Sequence, residues 1–226
     1  MKILEFDTLP STNDYAKSHT NEGDIIVIAK SQSKGRGSKN RSFHSGMGGL
    51  YLTKLTNYQA YPAKDVFQIL RNTSIAVCKT LEDFGLTPAI KWPNDIYVQN
   101  KKICGILIEN TFSGAFLARS IVGIGLNVNN RLPDELQTIA TTMSEALGKN
   151  TGVNAVKQSL ILHLNQNFSS EEYRRYIFFF KQAVTLIQAD GAHQVTAIDV
   201  DEQGRLIVEE KGQLRTVTAG EVSLRL

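Results

Sequence analysis

Residues 32–51 read Gln-Ser-Lys-Gly-Arg-Gly-Ser-Lys-Asn-Arg-Ser-Phe-His-Ser-Gly-Met-Gly-Gly-Leu-Tyr, and the reading of the chain turns on them. Cations, among them Arg36, Lys39 and Arg41, alternate with glycines and small polar residues. Glycine lets a backbone come close to a ligand, and closely spaced N–H groups in such a loop form an anion-binding concavity. Arginine adds a planar fork matched to phosphate or carboxylate. Charged, Gly-rich runs also occur as plain solvated hairpin loops, so the rest of the chain has to choose between the two.

The 226 residues suffice for one large domain, or for a domain with a small appendage. At 42% hydrophobic and 21% charged, the composition supports a sizeable core and is that of an ordinary globular chain. The net charge of +3 does not call for a nucleic-acid partner, so anion binding has to come from local clustering. No run of about 18 apolar residues is present, so no membrane span is expected. The N-terminus carries Glu5 and Asp7 too early for a signal peptide. Cys78 and Cys104 lie in apolar surroundings without metal-type spacing, and read as buried thiols in a reducing cytoplasm. His19, His44, His163 and His193 form no close pair, which argues against a histidine metal site.

Outward from the basic loop, the chain mixes strands and helices. Residues 2–6 alternate as a short strand, and Ser11-Thr12-Asn13-Asp14 offers N-cap chemistry for a helix. Asp24–Ala29 is a short β-branched run, hence a buried strand, and residues 49–55 resume as a strand of period two. Val66, Ile69, Leu70, Thr73, Val77, Leu81 and Phe84 recur at helical spacing, with Gly85 placed to end the helix. Ala89–Trp92 is strand-like and stops at Pro93. Residues 96–98 and 103–108 read as a hairpin through 99–102, and 116–128 as a buried strand containing Gly123 and Gly125. A short helix is expected near 142–147 and a longer helical region over about 152–178. From 183 on, short β-rich runs at 192–198, 205–210 and 215–219 alternate with turns, the pattern of a small all-β barrel. The helices do not alternate one-for-one with the strands. The expected class is therefore α+β, a mixed or antiparallel sheet with helices, divided into residues 1–180 and a barrel at 181–226.

Lys91-Trp-Pro-Asn-Asp95 is the second informative stretch. A lysine at a strand end, pinned by a proline turn, presents a fixed ammonium; taken alone, the stretch reads rather as a strand-ending turn with Trp92 in the core and Lys91 solvated. Taken in order, five segments resemble the biotin protein ligases. They are Ser11-Thr12-Asn13, Gln32-Ser-Lys-Gly-Arg-Gly37, Lys91-Trp-Pro-Asn-Asp95, Lys102-Ile-Cys-Gly-Ile-Leu-Ile-Glu109 and Val122-Gly-Ile-Gly-Leu-Asn-Val-Asn129. The tail is similar to that family's C-terminal SH3-like barrel through Asp190-Gly191, Ile198-Asp199, Gly204-Arg-Leu206 and Gly220-Glu-Val222.

The resemblance implies ATP-dependent activation of biotin as biotinyl-5′-AMP, then transfer to a lysine of a biotin carboxyl carrier domain. It implies Lys91 and Arg36 as catalytic cations. It implies biotin contacts from Ser11, Thr12, Asn13, Gln32, Gly35, Arg36, Gly37, Ser38, Lys91 and Gly105. It implies ATP contacts from Arg36, Arg41, Phe43, Lys91, Asn94 and Asn127. Mg²⁺ is expected with ATP, since phosphoryl chemistry uses it to offset charge; Asp95 is the one candidate ligand. The first matched motif begins at Ser11, so DNA binding is not expected, and a homodimer is left open.

Two positions depart from the family pattern. Ser38 stands where an arginine is common, and Phe43 where tryptophan is usual. Loss of one charge-assisted contact at Ser38 bears on how tightly the adenylate is held. The loop is expected to order only when an anion arrives, because its glycines make ordering costly and its cations repel. Three other readings compete: a lipoate–protein ligase of the same fold, a non-catalytic RNA- or single-strand-binding protein, and a ligase fold retained only as a biotin sensor. Single-strand binding would want aromatic platforms in the basic groove, and only Phe43 and Tyr51 flank it.

Overall fold

The computed structural model describes residues 1–21, 23–38, 41–188, 191–218 and 223–225, the last three as backbone only. Twelve strands and five helices follow one another among these residues. They are β1 (Lys2–Leu9), α1 (Thr12–Ser18), β2 (Ile25–Gln32), β3 (Leu50–Pro62), α2 (Phe67–Asp83), β4 (Pro88–Lys91), β5 (Asp95–Val98), β6 (Lys101–Ser113), β7 (Phe116–Leu126), α3 (Met143–Leu147), α4 (Val153–His163), α5 (Ser170–Tyr176), β8 (Ala183–Gln188), β9 (Gly191–Val200), β10 (Leu206–Glu210), β11 (Gln213–Val217) and β12 (Ser223–Arg225).

The first seven strands form one sheet in the order β1-β2-β3-β7-β6-β5-β4. Only β1 and β2 are parallel, and α1 is the crossover that a parallel pair requires. The other neighbours pair antiparallel. Alternate side chains of the central strands serve two cores. Ile26, Ile28, Leu52, Val122 and Ile124 pack with α2, α4 and α5. Ile25, Val27, Ala29, Leu55 and Ile121 pack with Leu9 and Ala16 beneath α1. This double burial explains why β2 is a continuous apolar run rather than an alternating one. The α1 side is shallow beyond its small cluster, and the candidate site lies there.

Residues 152–178 depart from the single helical region expected. The segment is two helices, because Ser169 caps α5 with a capping box to Glu172 while the chain from Leu164 to Phe168 turns inward. Phe168 is buried, and its N–H donates to Asn72 Oδ1 at 3.2 Å. The β-rich tail is a five-stranded antiparallel sheet, β11-β10-β9-β8-β12, two strands more than the three runs expected: β8 and β12 lie outside them. The tail motif residues Asp190 and Gly220–Val222 lie outside the described residues. This sheet is tied to the larger one at the Trp92-Pro93 turn. Trp92 Nε1 donates to Gly204 O, between β9 and β10, at 3.0 Å, while Tyr173 OH of α5 holds the same turn by donating to Pro93 O at 3.1 Å. None of the described helices is long and apolar enough to cross a membrane.

Candidate functional site

A cavity of about 40 Å³ opens on the α1 side of the sheet. It is lined by Ser11, Thr12 and Asn13, by Gln32, Arg36, Gly37, Ser38 and Phe43, by Asn94, Asp95 and Lys102, and by the strand residues Gly105, Ile106, Leu107, Gly123, Ile124 and Gly125. Each end of the chain's first 125 residues thus contributes, and the elements that deliver them can be read one at a time.

Ser11 caps α1, accepting from Asp14 N at 3.3 Å. The helix therefore starts on the cavity rim and presents Thr12 and Asn13 inward. Thr12 donates from N at 2.8 Å and from Oγ1 at 3.0 Å to Gln32 Oε1 at the end of β2. Gln32 Nε2 donates to Ser45 Oγ at 2.9 Å, and Ser45 Oγ donates to Phe43 O at 3.0 Å. Thr53 Oγ1 lies 2.8 Å from Thr12 Oγ1 and 2.7 Å from Asn13 Oδ1, with one proton for the two acceptors. Asn13 Nδ2 donates to Glu109 Oε2 at 3.0 Å. Ser11, Thr12, Asn13, Ser45 and Thr53 are all buried, so these bonds are obligatory rather than decorative.

Glu109 collects charge at the other side of this floor. Its Oε1 accepts from Lys17 Nζ at 2.6 Å and from Arg36 Nη2 at 2.5 Å, and Arg36 Nη1 also pairs with Asp14 at 2.8 Å. Burial pushes the Glu109 carboxyl up. Hydrogen bonds from Lys17 and Asn13, with the charges of Arg36 and Lys17, outweigh it and hold the carboxyl below the usual range.

Three glycines make the floor flat. A Cβ on Gly123 would stand 2.1 Å from Asn13 Oδ1, and one on Gly125 would stand 2.5 Å from the Phe43 ring. A Cβ on Gly105 would lie 3.2 Å from the same ring and 3.3 Å from Lys102 Nζ. Gly35 is needed for a different reason: its Cβ would meet Phe43 O and Ser45 Oγ at 2.4 Å, where the loop folds back on itself. That fold is carried by Phe43 N donating to Gly35 O at 2.9 Å and Gly37 N donating to Arg41 O at 2.7 Å. Lys39 and Asn40 lie outside the described residues.

The register Gly125–Gly105–Asp95–Lys91 runs across β7, β6, β5 and β4 as one row. Lys91 ends that row, two strands or roughly 10 Å beyond Gly105. Its ammonium lies 5.3 Å from the Tyr97 ring centre and 3.5 Å from Tyr97 OH, and Lys91 is not among the lining residues. Lys102 is, and it pairs with Asp95 at 2.6 Å. Sequence reasoning placed the central cation at Lys91; Lys102 and Glu109 stood only as the ends of a matched segment with no role assigned, and Thr53 was not singled out.

Of the other expected residues, Asn94 lines the cavity and donates to Ile106 O at 2.6 Å. Asn127 does not line it; it is buried, donating to Thr141 O at 3.2 Å and accepting from Asn130 Nδ2 at 3.1 Å. Arg41 is exposed and folds onto Ser38, donating to its carbonyl and hydroxyl at 3.3 and 3.2 Å. Among the described residues, no group of three or more His, Cys, Asp or Glu is placed to hold a metal ion. Cys78 and Cys104 are buried free thiols, and burial pushes both up.

The profile of the Biotin/lipoate A/B protein ligase family matches residues 5–127, more than half of the chain and all of the cavity. The chain belongs to that family. A second profile, the biotin protein ligase C terminal domain, matches residues 180–225, where the small sheet lies. This ligase is 31% identical over 240 residues to the bifunctional ligase/repressor BirA of Escherichia coli, covering 99% of this chain and 74% of that protein. It is 24% identical over 214 residues to the biotin–[acetyl-CoA-carboxylase] ligase of Mycobacterium tuberculosis, covering 88% of this chain and 78% of the other. The structure of the Aquifex aeolicus biotin protein ligase in complex with biotin and ATP superposes with a TM-score of 0.81 at 27% identity, covering 99% of this chain and 98% of that one.

Proposed function

We propose that the cavity over Gly105, Gly123 and Gly125 is where this ligase joins biotin to AMP, before passing the biotinyl group to a lysine of a biotin carboxyl carrier domain. The observation that carries the reading is the floor's unfinished hydrogen bonding. Thr53 has one proton for Thr12 Oγ1 and Asn13 Oδ1, so one acceptor is left for a ligand N–H. The Ser11 hydroxyl accepts from Asp14 N and has its own proton to donate. A ureido ring, with two N–H donors and one carbonyl, complements that set; a dithiolane ring such as lipoate's offers neither.

From the ureido end, the glycine strip gives the thiophane ring and valeryl chain a flat path past Ile106 and Leu107 towards Lys102 and Asp95. A carboxylate attacking the α-phosphorus of ATP brings two anions together, and cations aimed at the developing charge lower that barrier. Lys102 is the lysine positioned to bridge carboxylate and phosphate, and Arg36 is the arginine at the opposite rim. The carboxylate oxygen bonds to phosphorus, and the bond to pyrophosphate breaks with its electron pair leaving on pyrophosphate. The mixed anhydride then acylates the carrier lysine, releasing AMP. Mg²⁺ is held by one or two carboxylates plus phosphate oxygens in such sites, and Asp95 is the lining carboxylate that fits this role.

Phe43 occupies the strip between Gly105 and Gly125, so its ring has to swing away, towards the nucleotide side, for biotin to lie there.

The test is biotin-dependent ATP–pyrophosphate exchange, followed by transfer of label to a carrier domain. Lys102→Ala is expected to reduce exchange at least a hundredfold, and Lys91→Ala much less. Undiminished exchange in Lys102→Ala refutes the assignment; exchange with lipoate but not biotin refutes the substrate.

A further inference from the structure

We propose that Glu109 is a positioning residue that sets the hydrogen-bond polarity of the pocket floor, and so selects an acid whose ring donates N–H. The inference rests on the reading of the cavity as the biotin site.

An ionised carboxylate only accepts. Lys17 and Arg36 occupy Oε1, and Asn13 faces Oε2. Asn13 therefore has to turn its Nδ2 towards Glu109 and its Oδ1 towards Thr53 and Gly123. The order propagates along the floor. Thr53 becomes a donor towards Asn13 Oδ1 or Thr12 Oγ1, and Thr12 keeps its own proton for Gln32 Oε1. The floor thus ends in oxygen acceptors where it meets the cavity. Asn13 is buried against the backbone of Gly123, so its orientation is set by the protein groups that face it rather than by water.

Glu109→Gln tests this with no change of shape. Lys17 and Arg36 donate only, so the new amide has to give them its oxygen, which leaves its NH₂ facing Asn13. Asn13 then has to flip, placing Oδ1 towards position 109 and Nδ2 towards Thr53. An acceptor on the floor becomes a donor, opposing the N–H of a ureido ring. Glu109→Ala removes the carboxylate without supplying a donor and leaves Asn13 free to take either orientation. The isostere is therefore expected to be worse than alanine, an order that a packing or stability role would reverse.

The experiment uses the full chain in three forms: wild type, Glu109→Gln and Glu109→Ala. Asparagine side-chain amide NOEs read the orientation without any ligand. They are expected to link the Asn13 NH₂ to Glu109 in wild type and to the Thr53 methyl in Glu109→Gln. Calorimetry reads biotin and ATP separately. Glu109→Gln is expected to raise the Kd for biotin about thirtyfold and Glu109→Ala about fivefold, with the Kd for ATP changed less than about threefold in both. The biotin-to-lipoate ratio in pyrophosphate exchange is expected to fall furthest in Glu109→Gln. An unflipped Asn13 in Glu109→Gln, an alanine variant weaker than the glutamine one, or equal losses for biotin and ATP overturns the proposal. A wild type that binds no biotin overturns the reading of the cavity and the selectivity with it, while the NOEs still decide whether Glu109 orients Asn13.

Discussion

Gly123→Ala is the perturbation whose effect the structure specifies most fully. The new methyl would stand 2.1 Å from Asn13 Oδ1 and 2.9 Å from its Cγ. Ordinary carbon–oxygen contacts begin near 3.3 Å, so the Asn13 amide has to retreat by about 1 Å. Its bonds to Thr53 at 2.7 Å and to Glu109 at 3.0 Å are then stretched beyond hydrogen-bonding range. A net loss of about 1 kcal/mol for the neutral bond and about 1.5 for the charged one, with about 1 for overpacking, sums to roughly 3–4 kcal/mol. For a chain of this length that corresponds to a fall in Tm of roughly 6–15 °C. Urea unfolding is the assay: Cm should drop with m unchanged, and the KM for biotin should rise. The decisive control is the double-mutant cycle with Asn13→Ala, which removes the colliding group. In that background Gly123→Ala is expected to cost under about 1 kcal/mol. A cost that is the same in both backgrounds, or below about 0.5 kcal/mol in the wild type, refutes the claim that this glycine exists to admit Asn13.

Glu109 is held below its ordinary value of 4.5, so its contribution to stability is present above that pH and is lost as pH falls from 4.5 towards its folded value; a urea Cm profile should be flat in this component from pH 7 to 5, and Glu109→Gln should flatten the acid limb. Phe43→Ala vacates the strip over Gly105 and Gly125 and should speed biotin association in stopped flow, while weakening retention of the adenylate. Gly125→Ala should be tolerated better in the Phe43→Ala background than alone, since the ring is what its methyl meets at 2.5 Å. Trp92→Phe leaves Gly204 O without its indole donor and should cost roughly 1 kcal/mol in urea unfolding, reporting on the tie between the two sheets.

Much of the fold was legible in order and type. The short N-cap before α1, the amphipathic spacing of α2 and the Gly85 stop each depend on neighbours within a few residues, and such signals are local. The Ser-Thr-Asn, Gly-Arg-Gly and Trp-Pro-Asn-Asp segments were visible for the same reason, and Ser11 is both a cap and a rim residue, as its position allowed. The break in the 152–178 helical region was missed because it depends on Phe168 finding a place in the core as well as on Ser169.

What the sequence determined by itself, then, was the inventory: an α+β chain carrying a basic glycine loop, a hydroxyl-amide cluster and glycines in a buried strand. Which of these residues meet was decided by tertiary structure, and Lys102 shows why. Lys102 and Gly105 are three apart, so strict alternation puts them on opposite faces of a strand. The register shifts between Tyr97↔Lys102 and Ile96↔Cys104, making Ile103 an extra residue that re-aims the lysine. Both Ile103 and Cys104 are then fully buried, and Lys102 joins Gly105 above the sheet. Lys91 kept its expected strand-end position but stands at the far end of the row. The Asn13–Glu109 contact, spanning 96 residues of sequence, is likewise made only when β6 is brought beside α1. One bulge and one long-range carboxylate contact, neither fixed by sequence neighbours, convert the inventory into a site.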